Sequence, residues 1–416
     1  MTSPANITYD FSAPSRIVFG WGRRREAGSI ARELGTRAFV VCGSRTLEQT
    51  GGLDEIIGSL HEAGVETVRT ASISHEPLVD DVDRCVAALR DEHARAGDLL
   101  LAIGGGSAID LGKAAAALIS QEPAAPVRDY LEGVGKGRKI VNLPLPLLAM
   151  PTTAGTGSEA TKNAVISCND PPFKKSLRSD LMVPRAVLID PELAVSVPPQ
   201  VTAWTGMDAI TQLIESYISR RATEATQDIA LHGLALALPP GAFGMPRRDL
   251  SLVPLVVACR DGRSRPARER MAQAAMLSGM ALANSGLGMA HGVAAALGVH
   301  CNVPHGLACA VMLPEAMRAN FAIENVHRSF RPAAVRILDI QIMSSGPSST
   351  ERAGQLCIER IETLLSELKI PRRLSDIGVR REQIPAIVRD SRGNSMSANP
   401  RALLDDELTQ ILENML

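Results

Sequence analysis

The stretch GGGSAIDLGK, residues 104–113, decides the fold because it marks the junction of a strand and a helix. The apolar run LLLAI, residues 99–103, precedes it, and the alanine-rich run AAAALI, residues 114–119, follows it. This order predicts a strand, a glycine turn and a helix, where backbone N–H groups and the positive end of the helix suit a diphosphate. The pattern alone fits a nucleotide site and a simple tight turn equally well.

A second glycine-rich loop, PTTAGTGSEA at residues 151–160, follows another apolar run at residues 147–150. Neither loop has the G-x-G-x-x-G spacing of the dinucleotide fingerprint or the G-x-x-x-x-G-K-[ST] spacing of the P-loop. Together the two loops resemble those that hold the nicotinamide dinucleotide in the iron-containing (group III) alcohol dehydrogenase family, within the dehydroquinate synthase-like superfamily.

The resemblance extends over most of the chain, because further short segments stand in that family's order. They are Phe19 with Gly20, PRAVLIDPEL (184–193), GMDAITQLIES (206–216), GLGMAHG (286–292), VPHG (303–306) and ANPR (398–401). The resemblance implies a metal-dependent NAD(P) oxidoreductase. Such an enzyme transfers a hydride between the nicotinamide and a small alcohol, aldehyde or ketone.

The pattern of apolar runs and helix-like stretches predicts an α/β fold with a doubly wound parallel sheet, followed by an all-α part. The expected strands are Arg37–Cys42, 99–103, 147–150 and Ala186–Ile189, and the expected early helices are 51–62 and 79–95. Later helices are expected at 201–220, 223–237, 267–283, 350–368 and 405–416. We expect a dinucleotide-binding domain over residues 1–197 and a helical metal and substrate domain over 198–416. Residues 239–266 are expected to form a surface excursion.

The composition of the chain argues against nucleic acid and membranes as binding partners. The 416 residues carry 44 basic and 45 acidic side chains, so that nothing favours binding to nucleic acid or to a membrane surface. No apolar run is long enough to span a bilayer, and the first residues lack the pattern of a signal peptide, which predicts a cytoplasmic enzyme. Seven cysteines without a C-x-x-C pair predict buried, reduced thiols. A homodimer or higher homo-oligomer is expected.

The resemblance also implies a metal site made by one Asp and three His. This chain matches at Asp208, His291 and His305, to which the resemblance gives the catalytic role, but Gln212 stands where the third His is usual. An amide oxygen is a weaker ligand than imidazole for Fe²⁺ or Zn²⁺, so we expect a weakened site. The alternatives are that Asp208 stabilises a helix start and that the histidines are packed polar side chains. Ala295 replaces a further His that many relatives use for proton transfer.

The residues expected at the dinucleotide fall into three groups. The glycine turn contributes Gly104, Gly105, Gly106 and Ser107 at the diphosphate, braced by Asp110 with Lys113; the second loop contributes Thr152, Thr153 and Thr156. The family lysine at the nicotinamide ribose matches Lys175, for which a solvated charge is the alternative. Gly43, followed by Ser44 and Arg45, replaces the Asp that repels a 2′-phosphate, so we expect NADPH to be accepted at least as well as NADH.

Two functional hypotheses remain open at this point. The first is the metal-dependent alcohol dehydrogenase already described. The second is a family member without metal, either a carbonyl reductase of the maleylacetate reductase type or a nucleotide-binding protein that has lost the activity. The sequence does not name the substrate beyond a small molecule.

Overall fold

A six-stranded parallel sheet organises the first half of the chain. The computed structural model describes residues 8–43, 45–121, 125–239, 250–322 and 347–416. Its strands are β1 (Arg16–Phe19), β2 (Arg37–Cys42), β3 (Glu66–Ser72), β4 (Asp98–Gly104), β5 (Leu147–Pro151) and β8 (Ala186–Ile189). They lie in the order β1-β8-β5-β4-β2-β3, and every neighbouring pair is parallel. An antiparallel hairpin of β6 (Asn163–Asn169) and β7 (Pro172–Arg178) lies outside this sheet.

The central strands are apolar on both faces because helices cover both sides of the sheet. In β4, Leu100 and Ala102 belong to one core cluster, whereas Leu99, Leu101 and Ile103 belong to another. Such continuous apolar runs are typical of strands in a doubly covered parallel sheet. The covering helices are α1 (Ala27–Leu34), α2 (Arg45–Gln49), α3 (Gly52–Glu62), α4 (Val79–Asp91) and α5 (Gly106–Ile119).

The strand order creates a crevice between β2 and β4. The chain leaves β2 toward β3 on one side, whereas it leaves β4 toward β5 on the other. The connections at the carboxyl ends of these two strands therefore diverge, and Gly43 and Gly104 stand at the divergence. In open α/β sheets, ligands bind at this kind of switch point.

The second half of the chain is helical and encloses its own large core cluster. Its longer helices are α6 (Pro199–Ile218), α7 (Glu224–Ala237), α9 (Arg265–Ser285), α10 (Met289–Cys301), α11 (His305–Phe321), α12 (Pro347–Glu367) and α15 (Asp405–Asn414). The shorter ones are α8 (Pro254–Arg260), α13 (Ile384–Asp390) and α14 (Asn394–Ser397). No single described helix is long and apolar enough to cross a membrane; α9 and α10 meet that criterion only jointly and are bent by 100° at their junction.

The predicted fold class is confirmed, with strand bounds that differ by at most one residue at an end from those expected. The prediction of a surface excursion over residues 239–266 is wrong where the structure describes it. Residues 254–260 form helix α8, whose Leu255 and Val256 are buried in the helical core, because the apolar run LVVA outweighs the neighbouring prolines. The division of the chain at residues 197 and 198 into two domains stays a prediction.

Two glycines, Gly157 and Gly279, allow the second glycine-rich loop to pack directly against the backbone of helix α9. Gly157 has φ +61°, and a Cβ there would lie 2.5 Å from the Cα of Gly279. In turn, a Cβ on Gly279 would lie 2.2 Å from the carbonyl oxygen of Gly157. Neither side has a flexible atom that can move away, so this contact fixes the loop relative to the helical half of the chain.

We therefore expect Gly279→Ala to destabilise the protein by about 1–3 kcal/mol, because the added methyl group must push backbone away. Gly58→Ala is the matched control: Gly58 is also inside a helix, but nothing lies within 4 Å of the position that a Cβ would take there. Thermal unfolding should show a lower Tm for Gly279→Ala and an equal or higher Tm for Gly58→Ala. Equal Tm values for both variants would show that the contact between Gly157 and Gly279 does not stabilise the protein.

Candidate active site

The carboxyl ends of β2 and β4 approach each other so closely that side chains have no room. Gly104 has φ +154°, and a Cβ on it would lie 2.7 Å from the Cβ of Ala108 and 3.0 Å from the Cα of Gly43. A Cβ on Gly43 would likewise lie 2.7 Å from the Cβ of Ala108. Glycine at both positions therefore leaves the start of helix α5 and its backbone N–H groups open to a ligand.

The two glycine-rich loops face each other across this edge of the sheet. The backbone N–H of Thr152 donates to the carbonyl oxygen of Gly104 at 2.9 Å. A Cβ on Gly105 would make ordinary contact with Thr153 at 3.5 Å, whereas a Cβ on Gly106 would lie 2.8 Å from Thr156 Cγ2. The structure thus brings together the threonines and glycines that the sequence assigned to one nucleotide site; Ser107 follows as the second residue of α5.

Asp110 and Lys113 connect helix α5 to the second loop rather than to the glycine turn. Lys113 is buried, and its Nζ donates to the carbonyl oxygen of Ser158 and to Thr161 Oγ1, both at 2.8 Å. Asp110 forms an ion pair with Lys113 at 3.0 Å and accepts the backbone N–H of Val165 at 2.9 Å. The pair therefore braces the end of the second loop and the segment that follows it, and not the glycine turn as expected.

The remaining predicted cofactor residues lie at the margin of this edge. Lys175 is on strand β7, where alternation turns it away from the face that carries Lys174. Lys174, not Lys175, forms an ion pair with Glu76 and lowers the pKa of His305 through its charge. Ser44 and the side chain of Arg45, on which the preference for NADPH rests, lie outside the described residues.

A cluster of four potential metal ligands, three of them buried and His305 partly exposed, lies among three helices of the second half. Asp208 comes from α6, His291 from α10, and His305 with Cys309 from successive turns of α11. One ligating atom from each of the four lies within 4.8 Å of all the others. Three of these residues are the ones that the sequence had matched to the family's metal site, and the structure brings them together.

Glu215, seven residues after Asp208 on the same helix, orients His291. Its buried carboxylate accepts the backbone N–H groups of Gly288 at 3.0 Å and Ala290 at 2.6 Å at the start of α10. It also lies 2.7 Å from His291 Nδ1, which leaves Nε2 of that ring 3.1 Å from Asp208 Oδ1. A carboxylate behind a ligating imidazole is the usual arrangement at protein metal sites.

The electrostatics of the cluster favour a cation among its members. Burial opposes a charge on His291, yet Cys309, Asp208 and Glu215 together raise its pKa well above the usual range, so these neighbours stabilise a positive charge at the ring, and a metal there would replace the proton. Burial alone would raise the pKa of the Asp208 carboxyl group, but the two imidazoles outweigh it, so that this pKa lies below its usual value. Burial and the charge of Lys174 lower the pKa of His305 to about 4, which keeps this imidazole neutral as a metal ligand must be.

Gln212 is close in sequence to the cluster, but its hydrogen bonds lead elsewhere. Its Nε2 donates to the carbonyl oxygen of Thr156 at 3.3 Å, and its Oε1 accepts the hydroxyl of Ser278 at 2.6 Å. Its assignment as a metal ligand stays a prediction. His300, in the last turn of α10, forms an ion pair with Asp390 at 2.7 Å.

Sequence reasoning missed Glu215 and Cys309, although both carry a detectable signal. Glu215 follows Asp208 by two helical turns and therefore shares its face of α6. Cys309 follows His305 by four residues, the spacing that places two side chains on one helix face. The ANPR segment also acquires a structural role, because Asn399 accepts the backbone N–H of Met289 at 3.0 Å and so helps to hold the start of α10.

Comparison with known proteins identifies the family to which this site belongs. The model of the iron-containing alcohol dehydrogenases matches residues 14–191, and that of the C-terminal region of the same family matches residues 249–416. The chain belongs to the iron-containing alcohol dehydrogenase family. The predicted family and enzyme class are confirmed: the protein is an oxidoreductase of a family that uses NAD(P) and a divalent metal and acts on small molecules.

Individual relatives align over nearly the whole chain. Long-chain-alcohol dehydrogenase 1 of Geobacillus thermodenitrificans is 30% identical over 407 residues, which cover 96% of each chain. The crystal structure of a 1,3-propanediol oxidoreductase superposes with a TM-score of 0.86 at 29% identity, covering 99% of this chain and 100% of that one. A sulfoacetaldehyde reductase from Bifidobacterium kashiwanohense, solved with NAD⁺, gives a TM-score of 0.79 at 27% identity and covers 99% of each chain.

One buried carboxyl group in the second loop makes the stability of this dehydrogenase depend on pH. Burial raises the pKa of Glu159 from 4.5 to about 7, against the opposing charge of Lys113. Because the folded protein holds this proton more tightly, the group's contribution to stability is complete below pH 4.5 and is lost as the pH rises to about 7. The full effect corresponds to about 3 kcal/mol.

Glu159→Gln lacks this titration, so the variant should gain stability relative to the parent between pH 4.5 and about 7 and keep that gain at higher pH. The Tm difference between variant and parent, measured at pH 5 and pH 8, checks the expectation. The exposed Glu62→Gln serves as control and should follow the parent at both values. A Tm difference for Glu159→Gln that does not change with pH would contradict it.

Proposed function

We propose that this family member transfers a hydride between NAD(P) and a small alcohol, aldehyde or ketone, with a divalent metal held by Asp208, His291 and His305. The observation that carries the proposal is the convergence of these three side chains, from three helices, within 4.8 Å of one another. His291 has a buried carboxylate at each ring nitrogen, Asp208 at Nε2 and Glu215 at Nδ1. A histidine that only fills space in the core would not need these two partners. The metal that suits this donor set is Fe²⁺ or Zn²⁺.

The residues present fit a bound cation. His305 Nδ1 is buried without a hydrogen-bond partner among the described residues, while its Nε2 points toward Asp208 and Cys309. When bound, the cation supplies Lewis acidity toward a substrate oxygen, and the nicotinamide donates or accepts the hydride. The protein's own part is to hold His291 in one orientation through Glu215 and to keep His305 neutral.

The dinucleotide is proposed to lie along the carboxyl edge of the sheet, against Gly43, the glycine turn and the second loop. The contact of Gln212 with the carbonyl oxygen of Thr156 supports a short path between this edge and the metal ligands. Asp110 acts there as a positioning residue through Ser158 and Lys113. Lys175 and the preference for NADPH remain part of the proposal on the sequence alone.

The finer expectations about partners and location belong to the same proposal. We propose a cytoplasmic enzyme that forms a homodimer or higher homo-oligomer and binds neither nucleic acid nor a membrane, on the basis of its balanced charge. The second candidate is a metal-free carbonyl reductase of the maleylacetate reductase type, or a nucleotide-binding protein without activity. Gln212 in place of an imidazole favours that candidate, and the metal dependence of turnover distinguishes the two.

Asp208→Asn should lower the iron or zinc bound per chain at least about tenfold, because the charge of the carboxylate that faces both imidazoles is lost. Asp228→Asn on α7, an exposed position, is the control and should keep the metal content of the parent. Metal is measured by mass spectrometry after anaerobic reconstitution, and turnover by NAD(P)H consumption with small aldehydes and ketones. Full turnover by metal-depleted parent protein would instead support the metal-free candidate.

Gly105→Val should abolish dinucleotide affinity while the fold persists, because the backbone at Gly105 has φ −73° and ψ −175°, which valine can adopt, and a Cβ there has room. The added branches would project toward the proposed diphosphate. Gly393→Val is the matched control, since Gly393 also precedes a helix, with φ −73° and ψ −172°, and nothing lies within 4 Å of its Cβ position. Fluorescence titration with NADH and NADPH measures affinity; unchanged affinity in Gly105→Val would remove the assignment.

A further inference from the structure

We propose that Cys309 binds the metal as a thiolate, so that the site consists of one carboxylate, two imidazoles and one sulfur. This inference rests on the proposed function and extends its ligand set by a residue that the resemblance does not supply. This ligand set differs from the one Asp and three His that the resemblance implies. The site should therefore prefer a different metal.

The position of Cys309 in the cluster carries the inference. Its side chain is fully buried, and its Sγ lies 3.7 Å from His305 Nε2, one helical turn earlier on α11. The same sulfur lies within 4.8 Å of the ligating atoms of Asp208 and His291. A structural cysteine ordinarily packs among apolar side chains, whereas this one meets three groups that bind metals. Its location thus matches that of a ligand.

The hydrogen bonds of Gln212 explain why a fourth ligand would come from another helix. Ser278 donates to the amide oxygen of Gln212, which is the only atom of that side chain able to bind a cation. The resemblance places the pair of ligands at positions i and i+4 on α6, at residues 208 and 212. In this chain the same spacing recurs on α11, at His305 and Cys309, and it brings both side chains to one face.

Thiolate binding requires one proton to leave and involves no oxidation or reduction. The S–H bond of Cys309 breaks, a sulfur–metal bond forms, and the proton passes to the solvent buffer. Thiolate is a softer ligand than imidazole or an amide oxygen, so it favours Zn²⁺ and Co²⁺ over Fe²⁺ relative to a site without sulfur. We therefore infer that the protein selects zinc when both metals are offered at equal concentration.

Cobalt(II) provides a direct spectroscopic test, because cobalt–thiolate bonds give an intense charge-transfer absorption in the near ultraviolet, which carboxylate and imidazole ligands do not. The metal-free full-length protein is titrated with Co²⁺, and bound cobalt is counted by mass spectrometry. The parent should show the band at one cobalt per chain. Cys309→Ser should lose the band and bind cobalt at least about tenfold more weakly.

The matched control is Cys357→Ser, a cysteine equally buried in the same helical core but outside the cluster, and it should keep the band. Where Cys309→Ser does not fold, Cys309→Ala replaces it, with circular dichroism as the check. Cobalt bound without the band, or a band that survives in Cys309→Ser, overturns the thiolate ligand and leaves the proposed function standing. A parent that binds no cobalt overturns both.

Discussion

The burial of two carboxylates on one face of helix α6 is the constraint on which the arrangement of the site depends. Asp208 and Glu215 are each about 2% exposed, and a buried carboxylate is costly unless other groups compensate its charge. Backbone N–H groups at the start of α10 donate to Glu215 and so compensate its negative charge. The positive end of the α10 helix dipole adds to this effect. His291, in that same turn, lies between the two carboxylates. The need to compensate the two buried carboxylates of α6 therefore determines where α10 begins and how His291 is oriented.

The same helix also connects the cluster of potential metal ligands to the carboxyl edge of the sheet, where we propose the dinucleotide to lie. Gln212 is one turn beyond Asp208 and donates to the carbonyl oxygen of Thr156 in the second glycine-rich loop. That loop is fixed on its other side by the contact of Gly157 with Gly279, and its continuation is held by Lys113 from helix α5. A hydride transfer needs its two partners within contact distance, and these three attachments limit relative movement of the sheet edge and the cluster.

Much of this architecture could be predicted from sequence because its signals are local. Apolar runs that stop at a glycine or a proline predicted the strand ends near Gly43, Gly104 and Pro151, and motif order singled out Asp208, His291 and His305. Helix α8 was missed because local prolines suggested a loop, whereas burial of Leu255 against the core is a tertiary effect. Glu215 and Cys309 were missed for a related reason. Their spacing is visible in the sequence, but Glu215 meets His291 on α10, and Cys309 lies near Asp208 and His291 on other helices as well as near His305 on its own.

Small residues at the helix contacts explain how short side chains can form this cluster. Aspartate and cysteine extend only a short distance from the backbone, so their helices must approach closely. A Cβ on Gly288 would lie 2.8 Å from Glu215 Oε1, and one on Gly306 would lie 2.4 Å from the carbonyl oxygen of Trp204. These two glycines let the starts of α10 and α11 rest directly on α6. The close packing of backbone thus sets the spacing of the four potential ligands, and the polar groups that it buries are those that we propose to hold the metal.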